Sequence, residues 1–170
     1  MVRRELPSPK VLLKEANRVV LLEGLVNHTN VGSIVRSAAA FGFDALLIDQ
    51  HCADPLYRRA IRTSMGTIFS LPWSRLPDWP TSAQLIRDSG LMIVALTPEP
   101  SATSLSKITL PPRFALILGT EGDGLKNGTS AMADLLVRIP MREGIDSLNV
   151  AAAAAVAMYA MSAGSSAGHD

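Results

Sequence analysis

The chain alternates between apolar runs of strand length and stretches with helical or polar patterns. Four of the apolar runs are continuous, and they lie at residues 18–24, 44–49, 91–96 and 114–118. Continuous runs of this kind are typical of parallel strands that are covered on both faces. We therefore predict an α/β fold with an open, mostly parallel sheet.

Helices and loops are predicted in the intervals between these strands. The predicted helices lie at residues 10–18, 30–41, 56–64, 82–89 and 129–134, a further strand-like run at 65–72, and loops at 73–80 and 101–113. Asn30 or Ser33 is expected to cap the second helix, and Gly42 is expected to end it. The strand-like run is stopped by Pro72, which has no backbone N–H to continue a ladder.

The C-terminal part of the chain combines a short strand, a polar turn and an alanine-rich helix. The strand begins at Val137 and is stopped by Pro140, and the turn is centred on Gly144. Ser147 or Asn149 then stands where a helix N-cap is expected, ahead of the alanines. The helix carries no charged residue along its length. It is therefore expected to be buried, either inside one subunit or against a second one.

The composition is that of one globular domain. The chain has 170 residues, of which 48% are hydrophobic, and this is enough for a sizeable core. We expect residues 1–17 to be a leader or linker and residues 164–170 to be a flexible tail. Residues 1–7 lack the apolar segment of a signal peptide, and the uncharged helix is too short to span a membrane, so a cytoplasmic protein is expected.

The charge is nearly balanced overall but unevenly distributed. The formal net charge is +1, yet residues 1–75 hold ten Lys and Arg against six Asp and Glu, which indicates a modest basic surface in the first half. Part of this surface is a predicted helix face with Arg58, Arg59 and Arg62. Cys52 is the only cysteine in the sequence, so an internal disulfide and a Cys-based zinc site are excluded. The histidines show no ligand spacing, and no metal is expected.

Three stretches at the predicted carboxyl ends of strands carry the candidate chemistry, because open α/β sheets bind ligands at this edge. In the first, Arg36 follows Asn30 by six residues within an apolar helix; it indicates a salt bridge, a snorkelling side chain, or a cation directed at a phosphate or a forming oxyanion. The second is the glycine-rich run 119–124, which is either an ordinary turn or a site for a neutral or cationic ligand, since its glutamate would repel a pyrophosphate. In the third, Ser147 and Asn149 are either ligand contacts or helix caps.

Taken together and in this order, the three stretches resemble the SpoU/TrmH family of RNA ribose 2′-O-methyltransferases, which is part of the SPOUT superfamily. The first family motif, Asn followed six residues later by Arg, matches Asn30 and Arg36. The second matches residues 118–125 (LGTEGDGL), and the third matches residues 139–141 (IPM) with residues 147–150 (SLNV).

The resemblance extends over about residues 18–163, which are expected to form the methyltransferase domain, and residues 62–67 (RTSMGT) resemble ribosomal-RNA-type members. It implies that the C-terminal part of the α/β sheet is tucked through a loop as a deep trefoil knot. It also implies that the knot loops hold S-adenosylmethionine in a bent shape, largely through backbone groups. The positions that would contact this cofactor are Thr97, Leu118, Gly119, Ile139, Met141 and Leu148. The family acts as homodimers that complete their sites across the interface, so a homodimer is expected.

The chemistry that the resemblance implies is methylation of a ribose 2′-hydroxyl in structured RNA, with ribosomal RNA favoured over transfer RNA. The catalytic positions would be Asn30, Arg36, Glu121, Ser147 and Asn149. Arg36 would either activate the hydroxyl or, because arginine stays protonated, stabilise the forming alkoxide and orient the RNA phosphate. The side chains that would contact RNA are Arg36, Arg58, Arg59 and Arg62.

Two other functions are compatible with an α/β domain of this kind. One is a catalytically inactive RNA-binding protein of the same fold, and the intact set of catalytic residues argues against it. The other is a nucleotide-binding α/β enzyme, which needs an early phosphate-binding loop that residues 24–32 do not supply. Many family members also carry an N-terminal RNA-recognition domain, so RNA choice would lie either in residues 18–163 and their dimer or in a longer protein.

Overall fold

The structure is a computed structural model that describes residues 6–120, 124–145 and 147–163, apart from the side chains of residues 127 and 163. The helices are α1 (Pro9–Glu15), α2 (His28–Ala40), α3 (Arg58–Thr63), α4 (Trp79–Asp88), α5 (Asn127–Met132) and α6 (Val150–Ala163). The strands are β1 (Arg18–Leu22), β2 (Ala45–Ile48), β3 (Trp73–Arg75), β4 (Met92–Leu96), β5 (Thr103–Ser104), β6 (Phe114–Leu118) and β7 (Leu135–Arg138). The predicted catalytic residue Glu121 lies outside the described residues.

Within the described residues, seven strands form one parallel sheet in the order β3-β2-β1-β6-β4-β7-β5. β1 pairs with β2 on one side and with β6 on the other, so that Val19 lies opposite both Ala45 and Ala115. This arrangement confirms the predicted open, parallel α/β sheet. All strands point the same way, and their carboxyl ends therefore share one edge. The trefoil knot depends on how the chain threads after β6, and it stays a prediction.

Both faces of the sheet are covered, which explains the continuous apolar runs. In β1, Val20 and Leu22 face a core that is shared with α2 and α6, whereas Val19 and Leu21 face a core that is shared with α1 and α4. None of these four side chains is more than 1% exposed, and burying each one stabilises the fold by about 1.5–3 kcal/mol. α1 falls within the segment predicted as a leader or linker, and its Leu13 is fully buried in the second core.

The start of α2 differs from the prediction, because the cap is Asn27 rather than Asn30 or Ser33. The Asn27 side-chain oxygen accepts hydrogen bonds from the backbone N–H groups of Thr29 (2.9 Å) and Asn30 (3.4 Å). The helix therefore begins earlier than the sequence pattern indicated. As a consequence, Asn30 lies inside the first turn of α2, where its side chain is buried and does not serve as the cap.

The strand predicted at residues 65–72 is replaced by a 3-10 turn, and β3 forms directly after it. Met65 and Gly66 adopt positive φ angles of 53° and 78°, which break an extended run. Pro72 then precedes β3, which pairs with β2 at the edge of the sheet. β3 has three residues, and β5, inside the predicted loop 101–113, has two. Because these edge strands are so short, they do not produce an apolar run from which a strand could be predicted.

α3 packs closely against α2 at Gly32. A Cβ atom at this position would overlap the Ala60 carbonyl oxygen and Thr63 Oγ1, well inside the 3.0 Å limit that real Cβ atoms respect. Because one of the two atoms belongs to the backbone, no side-chain rotation makes room for it. Gly32 thus permits the close approach that places α3 beside the first turns of α2.

α6 confirms the predicted C-terminal helix and has two different faces. Ala154, Ala157 and Met158 are fully buried in the core of the same subunit, where α6 packs against α2. The opposite face is exposed although it is uncharged, with Val156 at 44% and Tyr159 at 63% exposure. The inner face is therefore explained by packing within one subunit, whereas the outer apolar face is not.

Candidate active site

A cavity of about 580 Å³ lies at the carboxyl edge of the sheet, between the loops that follow β4, β6 and β7 and the start of α6. This volume is typical of small-molecule sites. The six positions that were expected to hold a cofactor all lie in its wall, namely Thr97, Leu118, Gly119, Ile139, Met141 and Leu148. The other residues of the wall are Leu96, Pro98, Thr120, Gly124, Ser147, Asn149, Val150 and Ala153. Two of the three candidate stretches therefore meet at one cavity.

The two ends of the glycine-rich run after β6, at Thr120 and Gly124, lie against each other. The Thr120 N–H and hydroxyl groups both donate to the Gly124 carbonyl oxygen, at 3.1 and 3.2 Å. Gly119 lies within this contact, and a Cβ atom there would come 2.5 Å from the same carbonyl oxygen and 2.7 Å from the backbone nitrogen of Leu125. Glycine is therefore needed at position 119 so that two parts of the backbone can meet, and the turn forms one wall of the cavity.

Glu23 anchors the segment that follows this turn, a role that the sequence analysis missed. It directly follows β1 and is only 3% exposed. Its carboxylate accepts hydrogen bonds from the Lys126 backbone N–H (3.0 Å) and from the Thr129 hydroxyl. A buried carboxylate is costly unless it is hydrogen-bonded, so these contacts fix the segment after the turn to the centre of the sheet. The feature of the sequence that could have indicated this role is a single acidic residue inside the apolar run 18–24.

Asn149 connects the start of α6 to α2. Its side-chain oxygen caps α6 by accepting from the N–H groups of Ala151 (2.9 Å) and Ala152 (3.4 Å). Its amide nitrogen donates to Asn30 Oδ1 at 3.3 Å. Because backbone N–H groups only donate, the caps determine the orientation of the Asn149 amide. Asn149 is thus both a helix cap and a residue of the cavity wall, whereas Ser147 is exposed on that wall.

Arg36, like Asn30, is a predicted catalytic residue that does not line the cavity. It is exposed on α2, six residues after Asn30 and therefore about 9 Å farther along the helix axis. Among the residues that the structure describes, none forms a hydrogen bond or an ion pair with its guanidinium group. Within residues 6–120, 124–145 and 147–163, the salt-bridge interpretation of Arg36 therefore finds no partner.

A second hollow, of about 500 Å³, brings together the three arginines of α3. Its lining residues are Thr29, Tyr57, Arg58, Arg59, Arg62 and Thr63. The three guanidinium-bearing side chains are exposed. Thr29 directly precedes Asn30 in α2, so this basic hollow begins one residue away from the contact between Asn30 and Asn149. Arg36, the fourth arginine expected to contact RNA, does not line the hollow.

Cys52 stabilises the loop that connects β1 to α2 through two hydrogen bonds. Its thiol donates to the Leu22 carbonyl oxygen at 3.2 Å, and its sulfur accepts from the Leu25 N–H at 3.3 Å. Burial raises the pKa of the Cys52 thiol to about 12, and the neighbouring Asp49 carboxylate adds to the rise. A thiol with this pKa is protonated at neutral pH and is not a nucleophile.

The described part of the chain contains no group of three or more His, Cys, Asp and Glu residues that could hold a metal ion. Its helices are all too short or too polar to cross a membrane.

The family model of the SpoU rRNA methylase family matches residues 17–159 of the chain. In sequence, an uncharacterized tRNA/rRNA methyltransferase of Mycobacterium bovis is 44% identical over 161 residues, which cover 92% of this chain and 56% of the relative. The chain thus spans about half the length of the curated relatives that it matches.

Solved structures with the same fold agree with this assignment. The SpoU methyltransferase AviRb from Streptomyces viridochromogenes, in complex with the cofactor AdoMet, is 29% identical with a TM-score of 0.79, over 89% of this chain and 58% of that chain. An RNA 2′-O ribose methyltransferase is 31% identical with a TM-score of 0.78, over 97% of this chain and 60% of that chain. The resemblance drawn from the three motifs is confirmed, and the chain belongs to the SpoU rRNA methylase family.

Proposed function

We propose that this chain transfers a methyl group from S-adenosylmethionine to a ribose 2′-hydroxyl of RNA. The observation that carries this proposal is the cavity at the carboxyl edge, whose wall contains all six positions expected to hold the cofactor together with Ser147 and Asn149. The similar proteins support it, since AviRb binds AdoMet and the 31% identical structure is an RNA 2′-O ribose methyltransferase. Because the chain spans about half of its relatives, the activity of the whole protein is part of the proposal.

The wall of the cavity suits S-adenosylmethionine better than a nucleotide polyphosphate. It consists of apolar side chains such as Leu118, Ile139 and Leu148, together with backbone groups and small hydroxyls. Its described residues include no Lys or Arg, so a phosphate would find no cationic partner there, whereas a sulfonium cation would not be repelled. Bound in this cavity, S-adenosylmethionine supplies an activated methyl group.

The polar side chains beside the cavity would position the accepting hydroxyl. Asn30 and Asn149 hold each other in a fixed orientation, and Ser147 is exposed next to them. Arg36 remains protonated at physiological pH, so its role in the proposal is to stabilise the forming alkoxide, while another group or water takes the proton of the hydroxyl. Its exposure leaves the guanidinium group accessible to RNA that lies across α2. Glu121 is the fifth proposed member of the site.

RNA would approach along the basic hollow, with Arg58, Arg59 and Arg62 in contact with its phosphates. The hollow includes Thr29, and the next residue of α2, Asn30, is hydrogen-bonded to Asn149 in the cavity wall, so one RNA strand could contact both sites. Ribosomal RNA is favoured over transfer RNA in the proposal, because residues 62–67 resemble ribosomal-RNA-type members. An enzyme with such a substrate is expected in the cytoplasm.

The outer face of α6 supports the proposal of a homodimer. Val156 and Tyr159 are exposed and apolar, and Tyr159 packs edge-on against Phe41, with ring centroids 5.8 Å apart. An uncharged helix face of this kind is normally covered. A second copy that packs on it would bring its own α2 near the first, and Arg36 in the dimer would complete a site that one subunit leaves open.

The test is methyl transfer from labelled S-adenosylmethionine to RNA by the wild-type protein and by Arg36→Ala. Loss of one stabilising donor is expected to lower the rate about 10²- to 10³-fold. Affinity for S-adenosylmethionine should stay within about twofold, because Arg36 is not in the cavity wall. Lys10→Ala is the control and should keep wild-type turnover, because Lys10 is exposed on α1 at the opposite face of the sheet and pairs with no described residue.

The position of the label identifies the acceptor. A 2′-O-methylated nucleotide resists alkaline hydrolysis, because the hydroxyl that attacks the phosphate is blocked, so the label is expected in an alkali-resistant dinucleotide. Wild-type turnover by Arg36→Ala would refute the proposed role of Arg36. Recovery of the label on a base would refute ribose methylation.

A further inference from the structure

Tyr57, an exposed residue that lines the basic hollow, pairs with the half-buried His28 and has no role in the chemistry proposed so far. The rings of Tyr57 and His28 are in contact, with centroids 4.1 Å apart and planes tilted by 39°. Tyr57 is 57% exposed, although tyrosine carries a large apolar ring. It occupies the N-cap position of α3 without a side-chain capping bond, and no described residue forms a hydrogen bond with its hydroxyl.

The surroundings of this ring are strongly basic. Tyr57 lines the hollow together with Arg58, Arg59 and Arg62, and none of these arginines forms an ion pair with a described residue. The acidic residue of the same loop, Asp54, accepts a hydrogen bond from the Leu56 backbone N–H (2.8 Å) and does not line the hollow. An aromatic face beside unpaired cations matches a nucleotide, which presents a flat base and a phosphate to the same partner.

The pair is also directly connected to the proposed active site. His28 and Thr29 begin α2, and Asn30, the next residue, holds Asn149 at the cavity. His28, which supports the Tyr57 ring, and Asn30, which contacts Asn149, therefore lie within one turn of α2. A nucleotide on the ring pair would belong to the same RNA strand as the nucleotide at the cavity, a few positions away.

We propose that Tyr57, supported by His28, stacks on an unpaired base of the RNA substrate while the arginines of α3 bind the adjoining phosphates. This inference rests on the proposed function in taking RNA as the ligand, and it adds the class of RNA. A base in a duplex is stacked and paired, so it cannot lie flat on a side chain. The preferred substrates are therefore single-stranded segments, loops or bulges next to the methylated nucleotide. Phosphate contacts alone would not discriminate between single strands and duplexes in this way.

The test compares the binding of a single-stranded oligoribonucleotide that contains 2-aminopurine with binding of its duplex, using fluorescence titration. Tyr57→Ala should weaken single-strand binding at least about fivefold, the lower end of what the loss of one stacking ring costs. The same variant should leave duplex binding within about twofold. Tyr57→Phe keeps the ring and should restore single-strand affinity. Phe69→Ala is the matched control, since Phe69 is 61% exposed but lies outside the hollow, and it should bind both RNAs like the wild type.

Three further measurements distinguish a loss of base stacking from a loss of phosphate contacts and from a change in the fold. Arg62→Ala should weaken the binding of both RNAs and lower the salt dependence of their binding constants by about one released counterion. An oligonucleotide that is abasic at the probe position should bind the wild-type protein as weakly as the intact strand binds Tyr57→Ala. Melting temperatures and S-adenosylmethionine affinities of the Tyr57 variants should match the wild type, because the ring is exposed and outside the cavity.

Equal weakening of single strand and duplex by Tyr57→Ala, no effect on either, or no binding of single-stranded RNA by the wild type would each overturn the inference. A failure of the proposed enzymatic function would give a different result from a failure of the stacking site. A protein that binds single strands through Tyr57 but transfers no methyl group to RNA would contradict the enzyme and leave the stacking site standing.

Discussion

Gly119→Ala is the substitution that tests most sharply whether the glycine-rich turn builds the cavity. The added Cβ would lie 2.5 and 2.6 Å from the carbonyl oxygen and carbon of Gly124 and 2.7 Å from the nitrogen of Leu125. Real Cβ atoms do not approach other atoms more closely than about 3.0 Å. All three atoms are backbone, so no rotamer change relieves the overlap and the turn has to open.

The size of the effect follows from two opposing contributions. Overpacking of this kind costs about 1–3 kcal/mol, and the upper half of that range applies because no flexible side chain is involved. Replacing glycine by alanine also restricts the unfolded chain, which stabilises by about 0.4–1 kcal/mol. The net loss in the free energy of unfolding is about 1–2.6 kcal/mol, which lowers the melting temperature by about 2–10 °C in a chain of this length.

The same displacement should weaken cofactor binding. A shifted turn loses at least one backbone hydrogen bond and part of its apolar contact with the ligand, so affinity for S-adenosylmethionine is expected to fall about tenfold. Gly128→Ala is the control, because it lies in exposed α5 and its Cβ would meet nothing within 4 Å. This control should be neutral or stabilising by up to about 1 kcal/mol and should bind the cofactor like the wild type.

Thermal unfolding and calorimetric titration of the three proteins provide the measurement. If Gly119→Ala melts and binds like the wild type, the turn is not closed as described. If it melts lower but binds S-adenosylmethionine with unchanged affinity, the turn is tight and the cavity is not the cofactor site.

Two further predictions concern Cys52 and the outer face of α6. The pKa of Cys52 is about 12 in the folded protein against about 9 for an unperturbed thiol, so between these values the unfolded thiol ionises first and the free energy of unfolding falls as pH rises. Urea unfolding should therefore show a smaller loss of stability from about pH 8 to about pH 10.5 in Cys52→Ala than in the wild type, and equal losses would contradict the raised pKa. Val156→Glu places a charge on the exposed face and should convert a dimer to a monomer by light scattering, whereas Ala154→Glu, at a fully buried position, should unfold the chain. An unchanged mass for Val156→Glu would refute the proposed interface.

The strands that could be predicted from the sequence are those buried on both faces. β1, β4 and β6 each form an uninterrupted apolar run, because helices cover both sides of the sheet at its centre. β3 and β5 could not be recognised, since they lie at the edges and consist of three and two residues. At residues 65–72, the positive φ angles of Met65 and Gly66 interrupt a segment whose composition alone favours a strand.

The candidate site was predictable where its residues act through local sequence motifs. The alanine run, for example, predicts where α6 begins, and Asn149 lies at that position. In the structure, Asn149 both caps the helix and lines the cavity. Gly32 and Glu23 carried no such signal, because their roles come from partners distant in sequence: α3 in one case and the segment after β6 in the other. Asn27 was missed as the cap of α2, because Asn30 and Ser33 are equally good capping residues and only the observed backbone bonds distinguish them.

Titration calorimetry with S-adenosylmethionine, and with ATP and NAD as controls, is the first measurement to make, because it shows whether this cavity binds the methyl donor. The cavity wall has no described Lys or Arg to bind phosphate, so we expect S-adenosylmethionine to bind at one site per chain and ATP and NAD not to bind. Binding of ATP or NAD with equal affinity, or no binding of S-adenosylmethionine, would contradict the assignment of this cavity to the methyl donor.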